Sequence, residues 1–414
     1  MVTMPAPTLL VNGTPATPEH VRLPATILHG RSGPTDQPDA PTLTVDWGDP
    51  ATTPRIGDTL TWVANLPAVS TAPPAWDDPV AGWDDPAATW GGGWLAATTR
   101  FVGQVVDADV QETWPGPSAA RLVAVGGQAD LGRVRVVLNR PAESDVSRVG
   151  AIMAAAGVPI TVHGTAGPML AAAPELDTDA LAALWDVCAS SAGMVWQDTL
   201  GRIHYGTGTH RTDAPTAGIL YGDSLLDGVR WQSTEADLIN RVVLQYGPQD
   251  ARGEHTVDDA DSITTWGVHE VQVSTGLADQ AAADQLGQLV MARRAQPYWL
   301  LQDVVVDTAH TDSIPAVVTA ATLPLGATVL LPIPTSPGPV GTLAEWTVEG
   351  WAETWDTHDR MVLQLAVTDR ARWADLRLRT WAHARTNTWA QETARGSWMD
   401  ALILQPGETL EAAA

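Results

Sequence analysis

Carboxylates, imidazoles and indoles are the side chains of this sequence with chemistry to offer, and their spacing decides against most of it. Asp-Asp pairs stand at 77–78, 84–85 and 258–259, and two carboxylates facing each other across a substrate would supply a general acid and base. Nothing in the sequence sets these pairs across a substrate, so they read as solvated loop charge. The ten His include no His-Glu-x-x-His pattern, and the nearest pair, His204 and His210, flanks a Gly-rich turn. All 23 basic residues are Arg, which removes the phosphate-binding loop, whose Lys reaches the terminal phosphates. Gly206-Thr207-Gly208 lacks the third Gly and the following helix of a dinucleotide fingerprint, and there is no Gly-x-Ser-x-Gly elbow. The single Cys188 excludes an intramolecular disulfide and the multi-Cys zinc patterns. On the apolar face of a helix it acts as a small buried hydrophobe. The reading is a protein with no catalytic residues, no cofactor and no metal.

The indoles are the stronger signal. Residues 71–94 carry Trp-Asp-Asp-Pro twice, at Trp76 and Trp83, followed by a Gly run. Such a segment cannot build a core, so it is a loop that offers its rings to a protein or a sugar. Its carboxylates invite calcium, but the ligand spacing of an EF-hand, with its mid-loop Gly and closing Glu, is absent. Near the other end Trp373, Trp381, Trp389 and Trp398 recur at spacings of 8, 8 and 9, among Arg377, Arg379 and Arg385. On a helix eight residues advance about 80° past two turns, so the rings spiral and share no stripe. In an extended arm they stand about 26 Å apart, enough to seat each in its own pocket on a neighbouring surface. The alternative is an edge that packs on the chain's own β structure.

The elements around these segments are mostly strands. Residues 22–30, 41–47, 59–64 and 94–107 read as strands of a first β domain, interrupted by the 71–94 loop. A helix begins at Ser144 or Asp145, turns Val149, Ile152, Met153 and Ala156 to one side, and stops at Gly157 before Pro159. The stretch 163–178 reads as loop. Leu181, Leu184, Trp185 and Cys188 mark a second helix capped by Asp179, with Gly193 as its left-handed stop. A hairpin follows, Met194 and Trp196 going out, a turn at 197–201, and Ile203 and Tyr205 returning. The third helix, 279–294, places Arg293 and Arg294 at its C-terminal dipole end, with Pro297 barring extension. Strands at 299–307, 327–331, 345–354 and 361–367 complete the pattern.

A chain of 414 residues with 44% apolar content fills two or three cores. No apolar run approaches the length of a membrane span, and the N-terminus lacks a basic region followed by an apolar stretch. The net charge of −25 is uneven, because residues 370–399 hold six Arg against Asp375 and Glu392, a local +4. An acidic body of this kind disfavours nonspecific nucleic-acid binding, which needs phosphate neutralisation.

Taken in order, the segments resemble the tail hub, or minor tail, proteins of long-tailed bacteriophages. The resemblance rests on the helix and hairpin at 181–205, the strand 100–107, the segments 124–133, 140–143 and 148–149, then 240–247, 261–263 with 266–267, 348–351 and 361–369. It spans about residues 20–370. It implies a mainly β protein with an α+β insertion: two hub-type β barrels, 1–120 and 209–370, flanking a peripheral α+β domain, 121–208, with a Trp/Arg-rich arm, 371–414. It also implies a homotrimer at the tail tip of the virion, made in the bacterial cytoplasm, that adapts a sixfold tube to a threefold tip. Its partners would be the distal tail ring protein, the tape-measure protein and a tip or fibre protein, with DNA passing through an acidic lumen. A secreted or surface carbohydrate-binding β protein is the rival, suggested by 19 Trp and opposed by the missing signal peptide.

Overall fold

The computed structural model describes residues 6–31, 37–66, 97–111, 119–210, 214, 216–220, 225, 230–234, 238–248, 250–302, 304–310, 314–332, 343–357 and 360–369. Strict alternation makes the strands. In Thr59–Ala64 every second residue, Leu60, Trp62 and Ala64, is buried, and Leu43, Val45 and Trp47 do the same in Asp39–Trp47. Strands β1 (Thr8–Val11), β2 (Thr14–Pro15), β3 (Val21–Gly30), β4 (Asp39–Trp47), β5 (Thr59–Ala64), β6 (Thr98–Gln111) and β7 (Ala119–Val125) come first. The middle of the chain adds β8 (Arg135–Arg140), β9 (Glu143–Ser144), β10 (Ile160–His163), β11 (Met169–Leu170), β12 (Ala173–Asp179), β13 (Met194–Gln197) and β14 (Ile203–Gly206). After these come β15 (Thr216–Ile219), β16 (Arg230–Thr234), β17 (Arg241–Tyr246), β18 (Gly253–Asp258) and β19 (Glu270–Ser274). The last are β20 (Tyr298–Gln302), β21 (Val304–Asp307), β22 (Thr328–Pro332), β23 (Leu343–Thr357) and β24 (Arg360–Asp369).

The two ends of the chain meet in one sheet. Its order is β15-β22-β23-β3-β4-β7-β6-β5-β1-β2, with β24 joining β23 to β21. The link is the antiparallel pair β3–β23, from Ala25 opposite Trp355 to Gly30 opposite Gly350. At that last pair the backbones come so close that a Cβ on Gly350 would lie 2.5 Å from the Arg31 carbonyl oxygen. Inward side chains of both halves form one core, where Trp62 and Trp355 meet with ring centroids 6.4 Å apart. The two barrels expected from the sequence are therefore not separate sheets, and among the described residues the strand order has two ends and does not close.

Five α-helices are described: α1 (Asp145–Ala156), α2 (Ala180–Ser191), α3 (Ala260–Trp266), α4 (Gln280–Arg294) and α5 (Ile314–Thr322). The first starts at a Ser144 cap and ends at Gly157 with φ 70°. The fourth starts where Asp279 accepts from the Ala282 amide, 2.9 Å away. Helices α1, α2 and α4 build a second core with β13, β14, β17 and β18.

Several segments differ from the sequence reading, among them α5, where the sequence reading has no helix, and 299–307, which is divided between β20 and β21. Residues 163–178 are not loop but carry β11 and β12. The partner of β12 is β8, whose strand is set by pairing across the chain, and a bulge between Ala173 and Leu176 breaks the alternation that would have revealed it. The residue that ends α2 in the left-handed conformation is Ala192 (φ 53°), not Gly193. Gly193 is needed for closeness, since a Cβ there would meet the Gly206 carbonyl and the Tyr205 hydroxyl, each at 2.8 Å. The segment 240–247, read as the start of the second barrel, forms β17 in a separate sheet of order β18-β17-β19, and 261–267 falls in α3 and its cap. Val242 and Leu244 turn to the second core, away from the large sheet.

Candidate functional site at the junction of the two cores

The hairpin β13–β14 is the wall between the cores. Met194 and Trp196 point into the first, while Val195, Ile203 and Tyr205 point into the second, as alternation along the strands requires. Polar groups fix it on both sides. The Tyr205 hydroxyl donates to Asp145 Oδ2 at 2.7 Å and lies 2.9 Å from Ser191 Oγ, and burial drives its pKa upward, with the neighbouring Cys188 and Asp145 acting in the same sense. Gln197 Nε2 donates to the Val102 carbonyl at 3.0 Å, and its Oε1 accepts from the Gln128 amide at 2.9 Å, tying the hairpin to the large sheet.

Three imidazoles gather around the Trp196 ring on the first-core side. His204, His163 and His210 stack on it with centroid separations of 5.3, 5.4 and 5.7 Å. His204 Nε2 lies 3.1 Å from Asp198 Oδ2, and His204 Nδ1 lies 2.9 Å from His163 Nε2. With His204 donating to the carboxylate, its Nδ1 accepts from His163, so the chain of hydrogen bonds fits a neutral pair. Burial, then the His204 charge, lowers the pKa of His163. Burial would raise Asp198, but hydrogen bonds from His204 and Arg202 outweigh it and hold the carboxyl at about 2. Both nitrogens of His204 are thus engaged. Among the described residues no group of His, Cys, Asp or Glu is placed to hold a metal ion.

Two buried ion pairs clamp the first half of the chain to the last. Arg31 reaches Glu349 at 2.6 Å and Arg100 reaches Glu353 at 2.6 Å, all four side chains almost fully buried. Each carboxylate has a further donor, Thr368 Oγ1 to Glu349 at 2.6 Å and Trp355 Nε1 to Glu353 at 2.8 Å. Satisfaction of this kind is what lets a charge pair survive out of water. Beside them His29 Nε2 bonds the Arg100 carbonyl at 3.0 Å, and its ring stacks on Trp351 at 4.7 Å. Burial, reinforced by the Arg100 charge, lowers its pKa from 6.5 to about 4.

Clefts lined by described residues open to the surface. One, of about 740 Å³, lies against Leu28, His29, Leu301, Trp351 and Leu365. Another, of about 730 Å³, lies in the second core's flank between α2, the segment 170–176 and the turn at 247–252. No catalytic constellation accompanies either. Asp258 is paired with Arg241 at 2.8 Å, and Asp259 caps α3. Cys188 is buried and takes part in no disulfide. Trp76, Trp83, Trp373, Trp381, Trp389, Trp398, Arg377, Arg379 and Arg385 lie outside the described residues, as do the Asp pairs at 77–78 and 84–85. The sequence reading missed the partners of His204: His163 is 41 positions away, and only the parallel pairing of β10 with β14 brings it alongside.

No family profile and no curated protein matches the sequence. The likeness is in the fold. The tail protein from Neisseria meningitidis MC58 superposes with a TM-score of 0.58 at 13% identity, over 87% of this chain and 95% of that one. The 43 kDa tail protein of prophage MuSo2 from Shewanella oneidensis gives 0.56 at 11% identity, over 89% and 98%. The chain has the fold of phage tail proteins. At such identities the shared property is the backbone arrangement. No helix among the described residues is long and apolar enough to cross a membrane.

Proposed function

We propose that this chain is a structural protein of a phage tail or a phage-like injection device, placed at the tail tip as the hub. The observation that carries the reading is the extent of the fold likeness, which takes in nearly the whole of both tail proteins. The first and last β regions, residues 1–120 and 209–370, serve as the paired β units of the ring, with 121–208 as the peripheral part. Three copies then present six such units to the tube above and threefold symmetry to the tip below. The acidic body lines the passage and repels the DNA that slides through it. The distal tail ring, the tape-measure protein and a tip or fibre protein are its neighbours. The segment 371–414 is an assembly arm whose Trp and Arg side chains anchor on another surface.

The test is the mass of the purified full-length protein and its appearance in particle images. A ring of three copies with a net acidic or neutral lumen is expected; a strictly monomeric subunit in intact particles overturns the reading. Trp381→Ala with Trp389→Ala should lower incorporation into tails without altering the melting of the isolated subunit. Normal particles with both rings removed would make the arm dispensable.

A further inference from the structure

Strand β10 is four residues long and borders only β14 in its sheet. Thr161 and Val162 at its middle are exposed, so little apolar burial holds it in place. Its last residue supplies two attachments. The His163 carbonyl accepts from the Thr207 amide at 3.0 Å, and the His163 ring bonds His204 at 2.9 Å. The same ring lies 5.1 Å from both His204 and His210, centroid to centroid. His210 in turn is wedged between the hairpin and the large sheet, since a Cβ on Gly206 would meet its ring at 2.8 Å and one on Gly326 at 3.2 Å. Strand β10, the hairpin and the turn before β22 thus converge on three imidazoles.

Protons are the variable there. With none added, Asp198 accepts from His204, His204 accepts from His163, and Nδ1 of His163 keeps a lone pair. A first proton on that lone pair preserves both bonds. A second has no such place. On His204 it would set an N–H against the N–H of His163, and on His210 it would set two cations 5.1 Å apart. The charges around the cluster do not cancel it. Asp198 is already shared with Arg202 at 2.7 Å. Across the first core His29 feels that same carboxylate, and Arg100 and Glu353 beside it neutralise each other. From α1, which packs on β10, Asp145 is held by Tyr205 and Arg148 by Glu143. Burial and the His204 charge lower His163 from its ordinary 6.5. A group lowered in this way stabilises the fold fully above 6.5 and progressively less as pH falls, so the loss lies on the acidic side.

We propose that this cluster is an acid-sensitive latch, in which three imidazoles packed on Trp196 accept one proton in place and release β10 from β14 when a second binds. The segment 164–168, tied back where the Gly167 amide donates to Asp145 at 2.7 Å, loosens with it. The latch is a property of the subunit and is independent of its place in an assembly.

Amide hydrogen exchange of the full-length protein at about pH 7 and about pH 5, corrected for the intrinsic rate, reads the latch. Protection at Ile160–His163 should fall about tenfold relative to β5 in the first core and β17 in the second. His163→Gln with His210→Gln removes two titrating rings while the new amide at 163 still donates to His204, and the relative loss should disappear. Asp198→Asn donates to His204, turns the chain of bonds round and leaves no lone pair for a first proton. Its loss should begin about one pH unit higher, whereas a purely structural role for Asp198 would lower protection equally at every pH. The parent protein and Asp198→Asn decide the matter even where the double variant fails to fold. Protection of β10 that tracks β5 at every pH, a folded double variant as pH-dependent as the parent, or an Asp198→Asn profile without a shift would overturn the proposal.

Discussion

His29 keeps a neutral imidazole in a buried place beside the Arg100–Glu353 pair, at a junction where the N-terminal and C-terminal strands meet. An imidazole whose pKa is lowered by folding binds protons more readily in the unfolded chain. Its stabilising effect is therefore complete above the unfolded pKa and is lost as pH falls toward the folded one. For His29 that window runs from 6.5 down to about 4, and His163 is displaced in the same direction. Urea unfolding should show His29 removing about 2 kcal/mol of stability between about pH 7 and pH 5, and His29→Gln should flatten this part of the profile. The buried pairs make a second prediction. Arg100→Met leaves Glu353 charged and unpaired among apolar groups, at a loss of about 3–5 kcal/mol. Adding Glu353→Gln removes the orphaned charge, keeps an acceptor for the Trp355 indole, and should recover most of the midpoint in the same denaturation experiment. If the double variant is as weak as the single one, the pair is not the source of the loss.

The end of α2 shows what an element can and cannot announce in advance. Its start was readable, because Asp179 caps the Ala182 amide at 2.8 Å; of the apolar set Leu181, Leu184, Trp185 and Cys188 the helix buries Leu184 and Cys188, while Trp185 is 39% exposed. Its stop was misplaced by one residue. Gly193 suggested a left-handed terminator, but that conformation belongs to Ala192, and the glycine serves instead to admit Gly206 and Tyr205. Ala192→Gly should consequently stabilise the protein by about 1 kcal/mol, whereas Gly193→Ala should cost about 1–3 kcal/mol by overpacking; thermal melts of the two variants moving in opposite directions would bear this out. Strands of alternating burial such as β4, β5 and β24 were legible for the same local reason. The pairs β8–β12 and β10–β14 were not, since short polar strands gain their conformation from partners the sequence does not name. The imidazole cluster on Trp196 was hidden for that reason too.

At the scale of the molecule the strand β23 decides the organisation. It bonds β22, β24 and β3, and so makes one sheet of what the sequence presents as two β regions. A fragment of residues 1–210 should then fail to fold, because it would leave the β3 edge unpaired and Arg31 and Arg100 without their carboxylates. Dispersed amide proton signals from that fragment would contradict the prediction. The same pairing has a consequence for how the protein is made. Gly30 and its partner Gly350 are 320 residues apart, and at about 5–20 residues per second the ribosome needs on the order of tens of seconds to supply the second after the first. Throughout that interval the nascent chain carries an open strand edge beside side chains destined for burial. Slower elongation or crowding among polysomes should thus lower the soluble yield before any finished subunit is at risk, and a chaperone acting on unfinished chains should protect it.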